Sequence, residues 1–297
     1  MAGKGYTIIT DTTCDLPQQY YEANNITVVA LTYMLDGVEY DGTFENSLKP
    51  ALFYEKLRKG GIAKTSAVSP ETMIRIFTNV LETGSDLFYL AFSSGLSSTY
   101  QSACIARNEL AGKYPHQNIV CIDSLSDSLG EGLLLDLALR KAKEGAAIEE
   151  LAAYVEKMRL HVCHYFTVDD LHHLYRGGRV SRTTALFGTM LGIKPILHVD
   201  DQGHLIPIGK VRGRRQSLDA LVSKMGSKIE GCENPYVFIS HGDCLEDAKY
   251  VSAQVKSLYG IKTELIENIG PVIGSHSGPG TVALFFVGQS RTEKKAL

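Results

Sequence analysis

The sequence predicts an α/β protein of two domains, and three observations carry that expectation. In its first half, short apolar runs alternate with helical patterns at the spacing of βαβ units, which implies a parallel sheet. Beyond about residue 160 the pattern changes, and two strand-like runs a turn apart, IKPILHV and LIPIGKVRG, read as an antiparallel hairpin in a mixed sheet. The length of 297 residues also fits two domains better than one. We place the parallel α/β/α domain at 1–160 and the mixed-sheet α/β domain at 161–297.

The elements follow in order. YTIIT from Tyr6 is a β-branched strand, and a helix opens at Asp15 with Pro17 in its first turn, continuing from Gln18 to Ala23. ITVVALTYML reads as one strand. A loop then leads to the helix LFYEKLRKGG, stopped by Gly60 and Gly61. KTSAVSP reads as a hydroxyl-rich loop ended by Pro70, followed by a helix with Met73, Ile76, Phe77, Val80 and Leu81 on one face. DLFYLAF is a buried strand feeding SSGLSSTYQSACIARNELA, an order of strand, hydroxyl-glycine loop and helix that turns free N–H groups toward an anion. The strand NIVCID ends at Asp123 and Ser124, before a helix over GEGLLLDLALRKAKEG. In the second half, the helix IEELAAYVEKMRLH precedes the strand VCHYFTV, the hairpin, the helix SLDALVSKMGSKI and the strand YVFISHG. A helix over Leu245 to Tyr259, the strand IKTELIEN, the glycine-rich loop GPVIGSHSGPG and the strand VALFFVG close the chain.

Composition narrows the function. Hydrophobic residues make up 44% and charged residues 21%, a globular balance, and a formal charge of -3 argues against nucleic acid as partner. Six cysteines without CxxC spacing suggest neither zinc nor a disulfide framework, and read as reduced thiols in a cytoplasm. The N-terminus lacks a signal-like apolar core, and no apolar stretch reaches the ~18 to 20 residues that span a bilayer. The four histidines His161, His164, His172 and His173 do not share a helix face, so no metal site is expected.

The chemistry-bearing residues gather in loops. Thr65 and Ser66, Ser93 and Ser94, Asp123 and Ser124, and His276 between Ser275 and Ser277 combine hydroxyls, free N–H groups and one imidazole. That is equipment for a single small anion such as a carboxylate. An alternative arrangement makes Ser93 or Ser94 a nucleophile, His276 its base and Asp123 the orienting group, although SSGLSST lacks the G-x-S-x-G elbow. A phosphotransferase modified on His276 belongs to the same enzymatic class. Neither Walker A nor G-x-G-x-x-G occurs with the right flanks, so nucleotide binding by this chain is not expected. Two basic runs, Arg176, Arg179 and Arg182 in YRGGRVSR and Lys210, Arg212, Arg214 and Arg215 in GKVRGRRQS, suit phosphate or an acidic partner as well as a solvated face.

With these motifs in view, the chain resembles the DegV family of fatty-acid-binding proteins. The likeness runs through ITDTTCDLP, KTSAVSP, SSGLSSTYQSA, VCIDSLSDSLGEGLLL, VDDLHHLYRGGRVS, IKPIL, KVRGRRQSL and GPVIGSHSGPG, in the family's order. The resemblance implies a long-chain fatty acid such as palmitate in a tunnel between the domains and no cofactor. It implies a non-enzymatic carrier whose carboxylate ligands are Thr65 with Ser66, Ser93 or Ser94, and His276. Bacterial members serve as the binding subunit of a fatty acid kinase, in which a separate ATP-using subunit makes an acyl phosphate for phospholipid synthesis. In that setting the segment around Arg176 and Arg179 faces the kinase or the acyl phosphate, and any membrane contact is transient. A lipid-responsive regulator using Arg176 and Arg179 is a third reading. The chain departs from the family at Ala67 and Val68, where TSQPS is usual, at Ser98 in place of glycine, and at Ser275 and Ser277 in place of threonines. Phe92, Leu96, Phe166, Leu186, Phe187, Met190, Leu191, Ile193 and Ile196 are the expected tunnel walls. About fourteen methylenes at ~0.8 kcal/mol each offer roughly 11 kcal/mol before ordering costs.

Overall fold

The computed structural model describes residues 5–181 and 192–292. Arg182 and the expected wall residues Leu186, Phe187, Met190 and Leu191 lie outside the described residues.

Strand β1 (Tyr6–Asp11) runs into a 3-10 turn over Thr12–Cys14, capped by the Asp11 carboxylate accepting from Thr13 N–H. Helix α1 begins at Gln18 and ends at Ala23, three residues later than the sequence suggests, because Asp15 takes a left-handed conformation at φ 53°. The apolar run expected as one strand is two. β2 (Thr27–Val29) pairs in parallel with β1, whereas β3 (Thr32–Leu35) pairs antiparallel with β4 (Val38–Tyr40) in a different sheet. Between them Leu31 N–H donates to the Thr12 hydroxyl at 3.1 Å, a side-chain partner that takes the place of a ladder bond.

Helix α2 (Pro50–Arg58) leads to β5 (Ala63–Ser66), which completes the three-stranded sheet in the order β4-β3-β5. KTSAVSP is therefore half strand, and Thr65 stands opposite Tyr33 in the ladder. Helix α3 (Pro70–Leu81) starts where predicted, with Ser69 Oγ accepting from Thr72 N–H at 3.2 Å and Pro70 at the first position. β6 (Asp86–Ala91), helix α4 (Thr99–Ala111) and β7 (Ile119–Asp123) finish a four-stranded sheet ordered β2-β1-β6-β7, parallel throughout.

Helix α5 (Ser128–Lys143) is buried on nearly every face through Leu139, as a helix must be when it has a sheet on either side. It packs on the Thr12–Cys14 turn and on the sheet of the second half. Helix α6 (Ile148–Met158) then leads to β8 (Val162–Thr167), buried along its whole length. Next come α7 (His172–Arg176), β9 (Ile193–Val199), β10 (Leu205–Arg212), α8 (Arg214–Gly226), β11 (Tyr236–His241), α9 (Leu245–Tyr259), β12 (Lys262–Asn268), α10 (Pro271–Ser277) and β13 (Val282–Val287).

These strands make one six-stranded sheet ordered β10-β9-β8-β13-β11-β12. Only β11 and β12 are parallel, so the sheet is mixed as expected, and β9-β10 is the predicted hairpin. One core runs from the parallel sheet through α5 to Phe166 and Phe285 on the inner face of the second sheet; another lies between the outer face and α8 and α9. The protein is thus an α/β fold with sheets confined to residues 6–123 and 162–287, joined by α5 and α6.

The glycine-rich segment read as an open loop is the short helix α10. Pro271 presets its first turn, and Gly278 at φ 76° ends it. Gly274 is there for space: a Cβ would lie 2.5 Å from the Tyr54 hydroxyl, so α10 rides directly on α2.

Candidate functional site

His276 stands in the last turn of α10, and β5 brings Thr65 against it, with Thr65 Oγ1 2.8 Å from His276 Nε2. The other ring nitrogen lies beside Gly177, where a Cβ would come 2.0 Å from Nδ1. A side chain at 177 is therefore incompatible with this imidazole position. From the same turn Arg179 reaches the loop after β6, its Nε and Nη2 donating to the Leu96 carbonyl at 3.1 and 2.9 Å and its Nη1 to the Gly177 carbonyl. One guanidinium thus ties both halves of the protein together beside the histidine.

Burial, and secondarily the Arg179 charge, push the His276 pKa down to about 4, so the ring is neutral at neutral pH. Nδ1 of His276 and the hydroxyl of Ser277 are buried without a hydrogen-bond partner among the described residues. Unpaired buried polar atoms cost about 1–3 kcal/mol each, so these two hold hydrogen-bonding capacity that the described residues leave unused.

Both residues belong to the wall of a cavity of about 210 Å³. Phe92, Leu96, Phe166, Leu174, Leu205 and Phe285 supply apolar wall from both halves, and Thr65, Ser66, Arg179, His276 and Ser277 supply polar wall. Of the expected wall residues, Phe92, Leu96 and Phe166 line this cavity. Ile196 does not: it belongs to the core beneath α8 and α9. Ile193 is partly exposed at the start of β9 and is not part of the wall either.

The remaining predicted ligands are placed differently. Ser93 is fully buried, its hydroxyl donating to the Gly203 carbonyl at 2.9 Å and accepting from Gly95 N–H at 3.2 Å. Ser94 N–H and Leu125 N–H both donate to one Asp123 carboxylate oxygen at 3.1 Å. Ser124 Oγ donates to Ser126 O, and Ser275 Oγ to Pro271 O inside its own helix. These five residues brace the loops and do not line the cavity. The nucleophile-base-acid arrangement of Ser93 or Ser94, His276 and Asp123 is not formed: the Ser93 hydroxyl donates to the Gly203 carbonyl, His276 Nε2 meets Thr65, and Asp123 meets Ser94 only through its backbone N–H. Arg176 pairs with His173 Nδ1 at 2.9 Å, and Arg212 is exposed at the end of β10.

Sequence reasoning missed Ser97 and Ser98, which line the cavity at the start of α4. The signal was available: Ser97 Oγ accepts from Thr99 N–H at 3.2 Å, the local bond that Ser-x-Thr ahead of a helix favours. It also missed a second polar group in the wall. Asp127, Ser128 and Ser240 line the cavity, and Ser128 Oγ bonds the Asp15 carboxylate at 2.6 Å and Ser240 Oγ at 3.0 Å. Burial raises the Asp15 pKa to about 8 and that of Asp127 to about 6. Nearby, Thr13 Oγ1 lies against both Asp11 and Glu131, at 2.9 Å from the latter. One hydroxyl hydrogen does not serve two carboxylates, and burial raises both acids accordingly. Among the described residues no group of three or more His, Cys, Asp or Glu side chains is arranged to hold a metal, and no helix is long and apolar enough to cross a membrane.

Comparison with known proteins agrees along the whole chain. The family model described as "Uncharacterised protein, DegV family" matches residues 6–289. A DegV domain-containing protein of Clostridium perfringens is 41% identical over 288 residues, covering 97% of this chain and 99% of the relative. Among solved structures, a fatty-acid-binding DegV family protein of Thermus thermophilus superposes with a TM-score of 0.84 at 29% identity, covering 96% and 99% of the two chains. DegV of Bacillus subtilis, a fatty acid binding protein, gives 0.82 at 26% identity over 97% and 100%.

Proposed function

This chain belongs to the DegV family, and we propose that it binds a long-chain fatty acid of the palmitate class and presents the carboxylate to an ATP-dependent fatty acid kinase. The observation that carries the reading is the His276-Thr65 pair, with two unsatisfied polar atoms beside it, at one side of a largely apolar cavity. A fatty acid has the complementary form, a long apolar body with one anionic end. The Thr65 and Ser277 hydroxyls donate to the carboxylate, the neutral imidazole holds Thr65 in place, and the Arg179 charge offsets the buried anion. Fatty acid binding by relatives of the same architecture supports the assignment.

Hydrolysis is the weaker reading. Thr65 and His276 are spaced like a nucleophile and its base, yet Nδ1 has no carboxylate to orient the ring, and charging the imidazole beside Arg179 is disfavoured. The carrier therefore leaves chemistry to its partner. We place the handover in the cytoplasm, with residues 1–160 and 161–297 as the two domains and Arg176, Arg179 and Arg212 toward the kinase or the acyl phosphate. Purification under native conditions followed by lipid extraction and mass spectrometry is expected to return a long-chain acid. Protein that is repeatedly empty and takes up no added acid overturns the binding claim. Failure to support acyl phosphate formation with a fatty acid kinase and ATP overturns only the presentation.

A further inference from the structure

A second cavity, about 310 Å³ in volume, adjoins the first. Its wall includes Pro17, Phe44, Leu48 and Pro50, with Lys49 and Glu267 among its polar members. The partition between the two is thin. Val272 lines both cavities, Gly270 and Pro271 line only the outer one, and Ile269 and Ile273 only the inner one. Beside Val272 the partition continues as a hydrogen bond, Asp15 facing the outer cavity and its partner Ser128 the inner. Val272 precedes His276 by four residues, one helical turn or about 6 Å, so both project from the same face of α10. An acyl chain leaving the His276 end along this face passes over Val272.

We propose that the outer cavity receives the terminal methylenes of the longest acyl chains, and that Val272 sets how long a chain the protein accepts. The inference rests on the fatty-acid reading above and adds the occupant of a second cavity and the residue that controls access to it. Continuity through one side chain identifies that occupant: whatever fills the inner cavity is the nearest apolar body to the outer one.

Delipidated full-length protein is incubated with an equimolar series of saturated acids from myristic to behenic, and the retained acids are quantified by mass spectrometry. Val272→Ala is expected to shift retention toward the longest acids by about fourfold for each further methylene admitted. Val272→Phe is expected to cut the profile off at shorter chains. Phe44→Ala, a change at a residue 42% exposed in the outer wall, is expected to lower retention of the longest acids and leave myristic acid unchanged. Identical profiles for wild type, Val272→Ala and Val272→Phe overturn the inference while leaving the binding function intact. Wild-type protein that retains no acid overturns the binding function, and this inference with it.

Discussion

Two hydroxyl-bearing segments, one from each half of the chain, look equivalent as sequence and differ in one physical respect. After β6, the Ser93 hydroxyl and the Ser94 N–H are bonded to a carbonyl and a carboxylate oxygen of the protein, so those groups are finished. Around α10, His276 Nδ1 and Ser277 Oγ are buried and unfinished, in two residues of the cavity wall. In the proposed function recognition falls to the unfinished set, and the finished set keeps the walls in place.

The largest test of that contrast is His276→Ala, which frees Thr65 and removes the imidazole from the cavity. Loss of hydrogen bonding to a charged group costs about 1.5–3 kcal/mol, so fatty acid affinity is expected to fall roughly 10- to 100-fold in a titration with a fluorescent acid. Ser93→Ala should do the converse. It leaves the Gly203 carbonyl unpaired, costs about 1–3 kcal/mol, and lowers Tm by several degrees with the affinity of the remaining folded protein unchanged. An affinity loss in Ser93→Ala matching that in His276→Ala would erase the distinction. Ser277→Ala sharpens it further: removing an unpaired buried hydroxyl leaves the empty protein as stable or more so, while affinity drops by about three- to tenfold.

The smallest effect is on pH dependence, and it contrasts the two ends of α10. Asp15, which accepts from Gly270 N–H at 2.9 Å, has its folded pKa raised from 3.8 to about 8. The folded state then holds the extra proton, so this contribution is complete below about pH 4 and is lost as pH rises toward 8. His276 has its pKa lowered from 6.5 to about 4, so the unfolded state takes the proton first. Its contribution is complete above 6.5 and is lost as pH falls toward 4. Asp15→Asn, which still accepts from Gly270 N–H and reverses the Ser128 bond so that its amide donates, is expected to flatten the alkaline side of a Tm-against-pH curve. A decline with pH as steep in the Asp15→Asn protein as in wild type would reject the Asp15 assignment.

Much of this was legible in the sequence because it is local. The alternation of strand and helix announced the parallel sheet, and Pro70 announced the start of α3. The misread places are those where a partner distant in sequence decides. Ile26 to Leu35 has the composition of one strand, and only the presence of two sheets splits it at Leu31. Gly270 to Gly280 has the composition of a loop, yet Gly274 is small because Tyr54 lies against it, and the segment is free to be a helix. Thr65 and His276 are 211 residues apart, and no spacing rule joins them. Ser97 and not Ser93 lines the cavity, and the Ser93 hydroxyl is held by the Gly203 carbonyl, a partner that belongs to the hairpin of the other half.

Gly177 gives the last consequence. It touches no ligand in the proposed function, yet every side chain larger than hydrogen collides there with the His276 ring. A saturation mutagenesis survey scored by lipid uptake would therefore rank position 177 among the least tolerant in the chain. Read without the structure, that intolerance would be credited to contact with the lipid, when its origin is the room an imidazole needs to stand upright.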